Sequence, residues 1–409
     1  MKQPIAIFDQ AEFLETTQLH SDFLNIESFD IERDYAVCID FLLSYRGSPD
    51  TFKSYRREIE RLCQWAWLVA HKSIITLSRN DILNYIEFST NPPLDWISIK
   101  SSHRFILIDS QRVANPEWRP FLVRKSKVDY LNSAIKLSPK QYKMSSATVR
   151  SLFAGLGTFY TFLLQEQLIQ YHPVHSIRQK NQFLLKKQST RVSRTLSKQQ
   201  WQVVIETTIK KSITDSTFHR HVFILSACYL LGLRISELVP TYRHTPTMGD
   251  FYKDHNQLWW FLTIGKGNKE REIAVPNSML NALTNYRKFL KLSTKLPTKG
   301  EKTPILPKTK GYGSIGERQV RNLIQACFDM AIEALKIKNQ HELADDLSAA
   351  TAHWLRHTAI SHDVENRPRE HVRDDAGHHN ISVTDLYIDT TRNKRHESAI
   401  NKKLIPTDD

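Results

Sequence analysis

The stretch Thr351-Ala352-His353-Trp354-Leu355-Arg356-His357-Thr358 decides how the rest of this chain is read. His353 and Arg356 stand three apart in a segment of helical character, so both side chains leave from one face. An imidazole beside a guanidinium, in a chain of formal net charge +14, points to a pocket that holds a phosphate. The pair alone is equally compatible with a solvated or core-satisfied contact. His357 lies four residues after His353, a spacing that also permits a metal site. Against that, the segment lacks the glutamate of a zinc-protease helix and no Cys pair is present to complete a tetrahedron. The expectation is no metal and no cofactor.

At 409 residues the chain is long enough for two or three domains, each with its own core. The 57 Lys and Arg against 43 Asp and Glu favour a polyanionic partner such as nucleic acid, although a ribosomal or membrane-surface protein shares that balance. The opening residues 1 to 33 are the exception. Asp9, Glu12, Glu15, Asp22, Glu27, Asp30 and Glu32 face only Lys2 and Arg33, which makes this segment a poor DNA-binding arm. Cys38, Cys63, Cys228 and Cys327 occur singly inside apolar helical patterns and are expected as reduced core cysteines. No apolar run approaches the roughly eighteen residues of a spanning helix, and the N-terminus lacks the layout of a signal peptide. A cytoplasmic protein without a membrane partner is expected, nucleoid-associated when bound to DNA.

Helical spacing recurs over residues 34 to 46 and 51 to 71, separated by the turn Ser48-Pro49-Asp50-Thr51, with Asp50 or Thr51 as N-cap. A third helix is expected from Arg79 to about Phe88. Residues 91 to 145 break the pattern with Pro92, Pro93, Pro116, Pro120 and Pro139, and read as a long, partly packed insertion. Ser146-Ala147-Thr148 then caps a helix with the apolar face Val149, Leu152, Phe153, Leu156, Phe159, Tyr160, Phe162 and Leu163, which His172-Pro173 follows. Residues 177 to 195 carry Arg178, Lys180, Lys186, Lys187, Arg191 and Arg194 without an acid, either as a solvated linker or as a strap along a phosphate backbone. Ser197-Lys198-Gln199-Gln200 is a capping box that opens a second helical domain.

In that domain an apolar helix breaks at Gly232, and the chain restarts at Arg234 with Glu237 one turn on, an ordinary surface pair or a braced guanidinium. Residues 258 to 264 and 270 to 275 are strand-like runs joined by Gly265-Lys266-Gly267-Asn268-Lys269, a hairpin whose lysine is a solvated turn residue or a group that swings into a groove. This is the one clear β signal, so the expected sheet is small. Further on, Gly377-His378 closes a helix, and Tyr387 stands nine residues after His378.

Arg234, Lys266, His353, Arg356, His378 and Tyr387, in this order and in these local motifs, resemble the active positions of the tyrosine recombinase, or phage integrase, family. The resemblance extends over the second domain and, less specifically, to the helical pattern of residues 34 to 176. It implies a mainly α protein: an acidic segment over residues 1 to 33, a helical core-type DNA-binding domain over 34 to 176 with the insertion at about 91 to 145, a basic linker over 177 to 195, and a mostly α catalytic domain with a small antiparallel sheet over 196 to 409. Departures from the family pattern are Ala376 in place of the usual leucine, His379-Asn380 after Gly377-His378, and Val383-Thr384 in place of a Thr-Thr. None removes a catalytic group.

The resemblance implies a site-specific recombinase, or integrase, that cuts and rejoins double-stranded DNA through a 3′-phosphotyrosyl bond. Tyr387 is the expected nucleophile, Arg234 and Arg356 the donors to the phosphate oxygens, and Lys266 the general acid. His353 would help accept the tyrosine proton, and His378 would hydrogen-bond the phosphate. The expected assembly is a homotetramer on two DNA sites, with accessory DNA-bending proteins as further partners. Two alternatives stay open at this stage, a type IB topoisomerase-like DNA-relaxing enzyme and a catalytically idle DNA-binding regulator on the same fold.

Overall fold

The computed structural model describes residues 3–26, 28–124, 137–178, 194–265 and 268–377. The chain divides into two units, Met1–Thr190 and Arg191–Asp409.

In the first unit a single turn, α1 (Ser21–Leu24), precedes α2 (Ile31–Leu43), which Asp30 caps by accepting from the Arg33 amide at 2.9 Å. The next helix, α3 (Pro49–Trp65), has its N-cap at Ser48 and not at Asp50 or Thr51. Pro49 takes the first helical position, where its fixed φ suits the helix and its missing N–H would have had no partner, and this moves the boundary upstream. A π-helical turn, Ala66–Ala70, continues α3 and ends at His71 in the left-handed region. It seats the Trp67 indole against buried Asp34, which accepts from Trp67 Nε1 at 2.9 Å, Ser73 Oγ at 2.6 Å and the Ile74 amide at 2.8 Å. The Ser78–Asp81 capping box opens α4 (Arg79–Thr90).

Residues 91 to 124 hold short strands: β1 (Ile97–Ser98), β2 (Phe105–Ile108), β3 (Gln111–Ala114) and β4 (Phe121–Leu122). The first pairs with the fourth in parallel, and β2 pairs with β3 antiparallel across a turn in which Asp109 and Ser110 both have positive φ. The expectation of a single β signal in the chain is thereby corrected. Strands of two to four residues are too short to display the period of two by which strands are read.

The helix α5 (Ser146–Gln165) starts one residue earlier than expected, because the cap is Ser145, which accepts from the Thr148 amide. It is long and apolar enough by length and composition to cross a membrane, which corrects the reading that no run comes near that length. Its apolar face has another use. Leu152, Phe153, Leu156, Phe159, Tyr160 and Leu163 are buried in one core with Phe41, Ile59, Leu62 and Trp67. Cys38 and Cys63 lie in the same core as free thiols with their sulfurs 3.6 Å apart. A four-residue turn, α6 (His175–Arg178), ends the described part of this unit.

The second unit opens with α7 (Lys198–Thr214), whose Ser197–Gln200 capping box forms as its sequence requires. It is followed by α8 (Phe218–Leu230) and by a three-stranded antiparallel sheet, β5 (Phe251–Lys253), β6 (Trp259–Ile264) and β7 (Glu270–Ala274), in that order. Helices α9 (Asn277–Phe289), α10 (Glu317–Ile337), α11 (His341–Ser348), α12 (Ala352–Asn366) and α13 (Arg369–Ala376) follow among the described residues. Phe223, Leu225, Tyr286, Phe328, Leu335 and Leu355 belong to its core, to which the sheet adds Phe251, Phe261 and Ile273. Two polar ties fasten the start of α7 across this core: the Leu196 amide donates to Thr358 Oγ1 at 2.8 Å, and Gln200 Nε2 to the Leu343 carbonyl at 3.0 Å.

Candidate active site

Gly232 ends α8 by adopting φ +57°, a conformation that costs glycine least, and the chain leaves the helix extended at Arg234 before a 3-10 turn over Ile235–Glu237. Glu237 folds back under this turn. Its carboxylate accepts from the Arg234 amide at 2.8 Å and from Arg234 Nη1 at 3.1 Å. It accepts again from Arg271, at 2.8 Å from Nη1 and 3.0 Å from Nη2. Burial alone would raise the pKa of Glu237, but the hydrogen bonds and charge of Arg271, with Arg356 adding to them, hold it below the ordinary value. In the pair that the sequence allowed at the surface, the carboxylate is buried and the Arg234 side chain stays partly exposed.

Arg271 has a further set of neighbours. Its Nε donates to the Asp375 carbonyl at 2.9 Å, near the end of α13. A Cβ at Gly265 would lie 2.8 Å from its Nη1, and one at Gly377 would lie 3.0 Å from its Cδ. The guanidinium therefore runs between the residue that precedes Lys266 and the residue that precedes His378, and glycine at both places leaves room for it. Sequence reading did not single out Arg271. The available signal was the period of two along β7, which puts Arg271 on the same face as buried Ile273.

On α12, His353 and Arg356 share a face as expected. Arg356 is only 2% exposed. It donates through Nη1 to the Gly232 carbonyl and through Nη2 to the Ala376 carbonyl, the latter at 2.5 Å, joining the end of α8 to the end of α13. Arg234, His353 and Arg356 line one cleft of about 310 Å³ together with Ser236, Thr351 and Arg321. Arg321, on α10, is a cleft residue that sequence reading missed, since it forms an ordinary i, i+4 pair with Glu317. Lys266, His378 and Tyr387 lie outside the described residues, as do the basic linker positions Lys186, Lys187 and Arg191.

Burial, then the charges of Arg356, Arg234 and Arg194, lower the pKa of His353, so the ring is neutral near pH 7 and able to accept a proton. His357 stacks edge-on against it with centroids 4.5 Å apart, and burial together with His353 and Arg356 pulls His357 down to about 4. Because His357 binds its proton more weakly folded than unfolded, the folded state loses stability as pH falls from the ordinary value of 6.5 through about 4. His357→Gln should flatten the fall of melting temperature across that window. A melting curve with unchanged pH dependence would contradict the assignment.

The sequence model for the phage integrase family matches residues 194–394, a span that begins before α7 and includes the whole cleft. The chain belongs to this family, the tyrosine recombinases. Tyrosine recombinase XerC of Bacillus subtilis (strain 168) is 24% identical over 250 residues, which cover 61% of this chain and 72% of that protein. XerC of Listeria welshimeri serovar 6b is 25% identical over 331 residues, covering 79% and 96% respectively. In fold, this tyrosine recombinase resembles the XerH site-specific recombinase bound to palindromic difH substrate, at a TM-score of 0.55 and 12% identity, with 98% of this chain and 99% of that one covered. The expected fold class, a mainly α protein with a small antiparallel sheet in the catalytic unit, is the one observed.

Proposed function

We propose that this tyrosine recombinase is a site-specific DNA recombinase, or integrase, that breaks and rejoins strands of double-stranded DNA through a 3′-phosphotyrosyl bond at Tyr387. The observation that carries this reading is the convergence of Arg234, His353 and Arg356, from two separate segments, on one cleft, with both arginines braced from behind. Two guanidiniums can neutralise the charge that gathers on the non-bridging oxygens of a phosphodiester under attack. The Tyr387 oxygen forms a bond to phosphorus, the bond from phosphorus to the 5′ oxygen breaks, and the phosphodiester energy is kept for rejoining. His353 takes the phenolic proton, whose release at a reference pKa of about 10 is otherwise too costly near neutrality. Lys266 gives a proton to the departing 5′ oxygen, and His378 donates to the phosphate.

The helical domain over residues 34 to 176 and the catalytic domain over 196 to 409 would both contact the DNA, and the basic stretch 177 to 195 would add salt-sensitive affinity for its phosphates. A homotetramer on two sites would exchange the strands, helped by DNA-bending partners inside the cell. A nicked suicide duplex carrying the target site tests the reading, because loss of a short 5′ fragment traps the covalent protein–DNA adduct. Absence of an adduct from wild-type protein would leave a regulator that binds without cutting. Relaxation of supercoiled DNA lacking any specific site, by protein that stays monomeric, would instead point to topoisomerase-like work. Lys266→Ala should lose cleavage of ordinary DNA yet regain it, by about 10²-fold or more, on a substrate with a 5′-thiolate leaving group that needs no proton. Equal defects on both substrates would reassign the acid.

A further inference from the structure

A second cavity, of about 340 Å³, opens within the first unit and is lined by eight Lys and Arg side chains but by one carboxylate, Asp9. Arg56, Arg57 and Arg61 come from α3, Arg104 and Arg112 lie at and in the β2–β3 hairpin, and Arg124 follows β4. Three carboxylates meet this set. Asp9 takes both forks of Arg112 at 2.5 and 2.7 Å, Glu58 pairs with Arg57 at 2.6 Å and with Arg61 at 3.5 Å, and Glu60 pairs with Arg104 at 2.8 Å. Eight cations against three carboxylates leave five positive charges without an acidic counterpart among the described residues. The buried Nε–H groups of Arg56 and Arg104 have no hydrogen-bond partner there. Burial first, and then the charge of Arg104, pulls Arg56 down to about 10.

The guanidiniums are also held in place. Arg104 lies over the Trp118 ring at 4.9 Å, Arg61 over Phe121 at 4.8 Å and Arg112 over Phe13 at 4.1 Å. A rigid, concave set of planar forks with surplus positive charge suits a multiply charged oxyanion. The volume lies at the small end of the roughly 300–1,000 Å³ common for ligand pockets.

We propose that this cavity binds a phosphate- or diphosphate-bearing ligand. The phosphate comes either from a DNA backbone or from a free phosphorylated small molecule, and the chemistry of recognition is the same for both. Isothermal titration of the full-length protein with inorganic pyrophosphate should show a saturable component. That component survives Arg234→Gln, which disables the catalytic cleft. It weakens by about tenfold or more in Arg56→Gln, through loss of a charge-assisted fork. Exposed Lys100 and Arg124 at the cavity allow the double variant Lys100→Gln/Arg124→Gln, which should weaken binding severalfold with no change in melting temperature, and which decides the matter if Arg56→Gln unfolds. Displacement of pyrophosphate by duplex DNA assigns the phosphate to a DNA backbone, whereas undiminished binding in the presence of DNA assigns it to a free ligand. A titration with no saturable component, or with one that the cavity variants leave unchanged, overturns the proposal.

Discussion

Tyr387→Phe is expected to bind DNA as the wild type does and to leave no covalent adduct on a denaturing gel. The substitution removes one oxygen and nothing else of size. A phenyl ring offers phosphorus no lone pair, so strand cleavage should fall by on the order of 10⁴-fold or more. The groups proposed to hold the phosphate keep their own supports, Glu237 under Arg234 and the Gly232 and Ala376 carbonyls at Arg356. Binding and chemistry should therefore separate cleanly. An adduct formed by the Phe protein would put the nucleophile elsewhere in the chain.

The second large effect is expected from Arg271→Met, which keeps the bulk of the side chain and deletes its charge. Glu237, with its side chain 2% exposed, would face Arg234 without its main partner. Breaking one side of a buried ion pair in this way costs about 3–5 kcal/mol. In a domain of this size that corresponds to a fall in melting temperature on the order of 10 °C. The sign of the pH dependence follows from Glu237. Its folded pKa lies below the ordinary 4.5, so its contribution is complete above that value and is lost as pH falls through the lower folded value. Without Arg271, burial dominates and raises that pKa, so acid unfolding should begin at higher pH in the variant. Strand cleavage should drop by more than DNA affinity does, because Arg271 also spans Gly265, Gly377 and the Asp375 carbonyl. A melting point within a degree or two of wild type, with normal adduct yield, would remove Arg271 from the account.

The parts of this molecule that could be read from sequence are those in which a local rule and the tertiary structure agree. The Ser197–Gln200 box, the break at Gly232, the hairpin from Trp259 to Ala274 and the shared face of His353 and Arg356 each rest on residues within one or two turns of each other. What escaped is of another kind. Arg271 makes its contacts with residues 34 and 104 positions away, and no pattern on β7 announces which carboxylate will meet it. The strands of residues 97 to 122 are too short to show a period, and their cavity exists because α3 and the hairpin bring arginines together that are far apart in the chain. The start of α3 was misplaced because Asp50 and Thr51 are good caps in general, while Pro49 decides locally.

Among the contacts that hold Arg356 are two peptide oxygens, those of Gly232 and Ala376, and this bears on how the pocket tolerates drift. Any residue whose backbone follows the same path presents the same oxygen. The Ala376 carbonyl accordingly serves as an anchor through its backbone alone, whatever the size of the side chain at that position. At position 376, where the backbone is ordinary helix, side-chain changes should spare this contact, whereas a residue other than glycine at 232, with its φ of +57°, or the insertion or deletion of a single residue near 232 or 376, should displace the anchoring oxygens.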